Sequence, residues 1–132
     1  MGKKTGRHVC YIVVDSAGKL EEVEPIRAEP DSVVLFIMSN EHATHDMKVE
    51  LKDFKRKETM TASTPIATGG SLARNLSPGE VDSIKVKIHP KSKFGSNPWL
   101  LPYTTYKYTV EVTDVQAAVT TPYDPDIDVP PA

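Results

Sequence analysis

Apolar and polar residues alternate with a period of two through much of this chain, which is the signature of β-strands with one buried face. His45, Met47, Val49 and Leu51 share one parity, and Asp46, Lys48, Glu50 and Lys52 the other. Ile84, Val86 and Ile88 repeat the pattern against Lys85 and Lys87, and Tyr106, Tyr108, Val110 and Val112 repeat it against Lys107, Thr109 and Glu111. Two further segments are apolar on both parities: Val9 to Val14, and Val33-Val34-Leu35-Phe36-Ile37-Met38. Both are expected as internal strands, covered on two sides. Glu21 to Ala28, interrupted by Pro25, suits a sheet edge, where a missing N–H does no harm. Ile127-Asp128-Val129 is expected as a last short strand. Between Asp53 and Glu80 the alternation dissolves, and a stretch of that length is expected to hide one short helix.

Ser16-Ala17-Gly18-Lys19, Pro30-Asp31-Ser32 and Ser77-Pro78-Gly79-Glu80 separate these segments with turn chemistry. About seven short strands with turns between them indicate an all-β, Greek-key β-sandwich. Composition agrees: Val, Ile and Thr supply 33 of 132 residues, against 7 Leu, and β-branched side chains suit a pleated surface better than a helix. The domain is expected to span residues 8–130, preceded by a polar arm at residues 1–7.

Charge and cysteine narrow the function. A formal net charge of −2 argues against nucleic-acid binding, which needs many uncompensated cations. One cysteine excludes an internal disulfide and any multi-cysteine metal site. No apolar run approaches the roughly 20 residues of a membrane helix, and the basic N-terminus leads into no signal-like segment. Localisation stays open between a cytoplasmic protein and an exported one whose signal has been removed.

Taken in order, several segments resemble the cupredoxin-like domains. The extended stretch Glu24 to Ser32 leads into the apolar strand Val33 to Met38; a polar turn follows, and His45 opens the strand Asp46-Met47-Lys48-Val49. Leu76-Ser77-Pro78-Gly79-Glu80 precedes another strand, and Tyr106 to Val112 lies near the end. The resemblance runs from about Val9 to Val129. It implies a copper ligand at His45, with a cysteine, a second histidine and a methionine in one late loop, since a blue copper site needs two His, one thiolate and a weak axial ligand. Tyr106 to Val112 and the following residues to Asp126 contain none of the three, and Cys10 sits on the first strand. The resemblance therefore implies a cupredoxin-like domain lacking the blue copper ligand set, with no cofactor.

The other candidates are few. His42, His45 and His89 are weak candidates for a metal site, because His45 and Asp46 point to opposite faces and His89 has the parity of the wet face; the competing reading is a histidine that caps a turn. No nucleophile elbow and no phosphate-cradling loop occurs, so no catalytic residue is assigned. Cys10 reads as an inert core thiol. Phe94, Trp99, Leu100, Leu101 and Tyr103 fall in a Pro-rich loop. They form either a contact surface, as aromatics often do, or a plug closing one end of the sandwich. The expectation is a non-enzymatic structural or protein-interaction module, with a protein partner or self-association; the alternative is a copper- or zinc-binding protein using His45 with other histidines.

Overall fold

The structure, a computed structural model, describes residues 7–67, 71–94 and 101–131. The described residues form nine strands: β1 (Arg7–Val14), β2 (Ile26–Arg27), β3 (Val33–Asn40), β4 (Met47–Arg56), β5 (Ala73–Leu76), β6 (Val81–Lys87), β7 (Thr105–Asp114), β8 (Val119–Tyr123) and β9 (Asp126–Asp128). One sheet has the order β1-β3-β6; the other runs β2-β9-β7-β4-β5, with β8 also paired to β7. β1 and β3 are parallel, so the chain crosses to the second sheet and back between them. The all-β sandwich of two sheets expected from the sequence is the fold found, with nine strands among the described residues where about seven are expected. No helix among the described residues is long and apolar enough to cross a membrane.

The alternating positions fill the space between the sheets. Cys10, Ile12 and Val14 from β1 and Val34, Phe36 and Met38 from β3 face Met47, Val49 and Leu51 from β4 and Tyr106, Tyr108, Val110 and Val112 from β7; all are buried. Asp53 adopts a left-handed backbone conformation (φ 54°), where the β4–β7 register shifts between Lys52 and Lys55. The extra residue of such a bulge reverses the facing of the strand beyond it. Phe54 then stacks on Tyr108, with ring centroids 5.4 Å apart.

Several expectations are corrected. The stretch from Asp53 to Glu80 holds no helix among its described residues; it continues β4 to Arg56 and contributes β5. The one helical turn among the described residues lies at Lys91–Lys93. β8, for which the sequence pattern gives no strand, pairs with the C-terminal half of β7. The largest correction concerns β1. It is an edge strand with a single strand partner among the described residues, and Val9 and Tyr11 are 44% and 63% exposed. Its second apolar face is open rather than covered.

Candidate functional site

Asn40, at the end of β3 and 1% exposed, organises the turn that carries His42 and His45. Its Oδ1 accepts from His42 N–H at 3.0 Å, and its Nδ2 donates to the carbonyls of His45 (2.8 Å) and Leu76 (3.1 Å). The turn then folds over its own histidine: His42 Nδ1 accepts from the backbone N–H groups of Thr44 (3.1 Å) and His45 (2.9 Å). His45 lies against the end of β7, where its Nδ1 is 3.0 and 2.9 Å from the two carboxylate oxygens of Asp114. Asp114 also accepts Ala117 N–H at 3.0 Å. The His45 hydrogen bond, followed by that of Ala117, holds its carboxyl below the ordinary range.

Gly18 brings the β1–β2 turn down onto this cluster. Asp15 Oδ1 accepts the N–H groups of Ala17 and Lys19, each at 2.9 Å, and Gly18 completes the turn at φ 81°. A β-carbon there would stand 3.4 Å from Met47 Cε, 3.6 Å from Asp114 Oδ2 and 3.7 Å from His42 Cδ2. Glycine thus satisfies both the backbone conformation and the close approach.

His42, His45 and Asp114 each place one ligand atom within 4.8 Å of the others. Two imidazoles and a carboxylate form a donor set that zinc accepts. Their present arrangement is closed, however. The imidazoles are stacked, with centroids 4.1 Å apart and planes at 21°, His42 Nδ1 is committed to two backbone donors, and His45 Nδ1 to Asp114. One ion bound by all three would require ring rotation and loss of some of these bonds. His42 thus caps a turn, as one of the sequence readings has it. His89 lies outside this cluster and packs beside Phe94, with centroids 6.5 Å apart; burial first, then the nearby Lys93, lowers its pKa. Asp46 is held by Gln116, whose Nε2 donates to Asp46 Oδ2 at 2.8 Å. Asp114 is the member that sequence reasoning missed: it lies 69 residues from His45, and only the β4–β7 register, pairing Met47 with Asp114, brings them together.

Cys10 is buried, with its sulfur 4.0 Å from the Tyr108 hydroxyl. Burial pushes the thiol up to about 11, which disfavours the reactive thiolate. In the late loop, Phe94 is buried and stacks on half-buried Tyr103 at 5.5 Å. Leu101 forms an isolated bridge with Phe94 and packs against the core. Trp99 and Leu100 lie outside the described residues.

The outer face of the β1-β3-β6 sheet presents a different kind of surface. Val9 pairs with Leu35, Tyr11 with Ile37, and Ser39 with Val81. These cross-strand pairs put exposed Val9, Tyr11 and Val81 beside half-buried Leu35 and Ile37. A shallow hollow of about 300 Å³ lies between Leu35, Ile37, Val81, Asp82 and Ser83.

No family model matches the chain, and no curated protein matches it in sequence. Among solved structures, dithionite-reduced auracyanin from the photosynthetic bacterium Roseiflexus castenholzii is similar at 11% identity and a TM-score of 0.46, over 98% of this chain and 100% of that one. A multi-copper oxidase from Pediococcus acidilactici is similar at 12% identity and a TM-score of 0.37, over 98% of this chain but 27% of the oxidase. At so low an identity and TM-score, what can be said of this chain rests on its own strands and side chains.

Proposed function

We propose that this protein is a non-enzymatic β-sandwich that works by binding another protein through the outer face of its β1-β3-β6 sheet. The observation that carries this reading is the row of exposed Val9, Tyr11 and Val81 beside Leu35 and Ile37. The outer face of a two-layer sandwich is ordinarily polar. An apolar patch on it is the kind of surface that proteins bury against a partner. A photo-crosslinking residue in place of Tyr11 should give one discrete protein adduct in the source cells. The same residue in place of exposed Lys48, on the other sheet, should give none. Adducts at both positions, or at neither, would count against the reading. The late loop is a second surface to assay: loss of the adduct in a Trp99→Ala variant would extend the contact to it.

A second reading, binding of copper or zinc, is favoured by the grouping of His42, His45 and Asp114 within 4.8 Å. Titration calorimetry with Cu(II) and Zn(II) tests it. One equivalent bound by the parent chain and lost in His45→Ala would support this reading, and binding indifferent to that change would remove it.

A further inference from the structure

The open edge of β1 faces a groove of about 330 Å³ lined by His8, Val9, Tyr11 and Val13 on one side and by Glu21, Glu22 and Glu24 on the other. That volume is at the small end of the range, about 300–1,000 Å³, common for ligand pockets. The direction of the β1 backbone groups follows from two hydrogen bonds. Val14 O accepts Glu41 N–H at 2.8 Å on the β3 side, whereas Val13 O accepts Glu21 N–H at 2.9 Å on the opposite side. Each residue of a parallel strand turns its N–H and C=O to the same side, and successive residues alternate. Val9 and Tyr11, with the parity of Val13, therefore turn both groups to the open edge. Pairing with the following segment ends after the Val14–Leu20 bridge, and β2, the next strand, pairs with β9 instead.

We infer that this edge takes up an extended, basic peptide segment of a partner protein as an added strand. The inference rests on the proposed reading of the adjoining face as a contact surface, and it gives the partner a chemistry. A strand laid beside β1 would meet the N–H and C=O of Val9 and Tyr11, the recurring mode of recognition at exposed sheet edges. Its side chains of one parity would lie next to Val9 and Tyr11 on the apolar face; those of the other would lie next to the glutamates. Alternating apolar and Lys or Arg residues fit both rows. Among the described residues no cation pairs with Glu21, Glu22 or Glu24, which are exposed, and Arg27, the cation in the lining, is paired with Asp128 at 3.5 Å. His8, in the same lining, holds its Nε2 buried without a hydrogen-bond partner, a cost that an arriving polar group could relieve. A second copy is disfavoured as occupant, since it would bring its own three glutamates against these.

The probe is a fluorescein-labelled hexapeptide of alternating Lys and Val, with the Glu–Val peptide as control, followed by anisotropy. The Lys–Val peptide should bind at least ten-fold more tightly than the control, and its affinity should fall as salt rises. Two variants locate it. Glu22→Lys with Glu24→Lys changes exposed side chains only and should weaken binding at least ten-fold. Tyr11→Pro removes an N–H that faces the edge, a position where proline is tolerated, and should do the same with the circular dichroism unchanged. Equal affinity for the two peptides, or binding unaltered by the charge reversal, would overturn the inference. A Tyr11 crosslink without Lys–Val binding would overturn it while leaving the proposed contact face standing. A dimer by light scattering that excludes the peptide would also overturn it.

Discussion

Replacing Asn40 with alanine should be among the most damaging single polar substitutions in this protein. The side chain makes three hydrogen bonds, to His42 N–H, His45 O and Leu76 O, at 3.0, 2.8 and 3.1 Å. At roughly 1 kcal/mol net for each, and more where a buried group is left unpaired, the loss sums to about 3 kcal/mol. That is a large part of the 5–15 kcal/mol typical of a domain. It corresponds to a fall of about 10 °C in Tm at this chain length. Urea denaturation should show the midpoint moving with the slope unchanged. Amide exchange at His42 should accelerate, because its N–H loses its acceptor. Asn40→Asp should cost at least as much at neutral pH, since its second oxygen would face two carbonyl oxygens; the penalty should shrink on acidification as the new carboxyl gains a proton to donate. A loss below 1 kcal/mol for Asn40→Ala would show that the histidine turn holds its shape without Asn40.

Three further outcomes are expected. Gly18→Ala combines a left-handed backbone with a 3.4 Å approach to Met47 Cε and should cost about 1–2 kcal/mol in the same urea assay. Cys10 should resist a chromogenic disulfide reagent at pH 8 in the native protein and react fully in urea, because its thiol is buried and shifted up to about 11. Stability should fall with acid in two stages, read from urea midpoints across pH. The first begins below about 6.5, where the lowered pKa of His89 makes its protonation favour the unfolded chain. The second begins near pH 4 and below, as Asp114 and Asp126 lose charge. Asp114 is held low by His45 and Ala117; burial alone would raise Asp126, but hydrogen bonds from Lys57 and Lys107 outweigh it.

The period-two pattern located the core strands because each buries one face, so Met47, Val49 and Leu51 could be read directly from their alternation with Lys48, Glu50 and Lys52. The same logic failed for β1. Apolar residues on both parities describe equally a covered inner strand and an edge strand with an apolar outer face, and only tertiary placement separates the two. The short strands were illegible for another reason. β5 and β8 are held by pairing with β4 and β7, and β8 carries exposed or half-buried side chains, so no apolar period marks it. Of the histidine cluster, His42 and His45 stood out as residues, while Asp114 did not. A carboxylate at a strand end looks like any other until the register sets it beside an imidazole.

The central claim, that the edge and outer face of β1 are open for a partner, is tested most directly by residue-resolved amide hydrogen exchange. In the isolated protein, the amides of Val9 and Tyr11 should exchange at least a hundred-fold faster than those of Cys10 and Ile12, which face β3. Adding the Lys–Val peptide should protect Val9 and Tyr11 while leaving Lys48 unchanged. Equal protection of all four β1 amides in the isolated protein would mean that the edge is already covered, and would contradict the account.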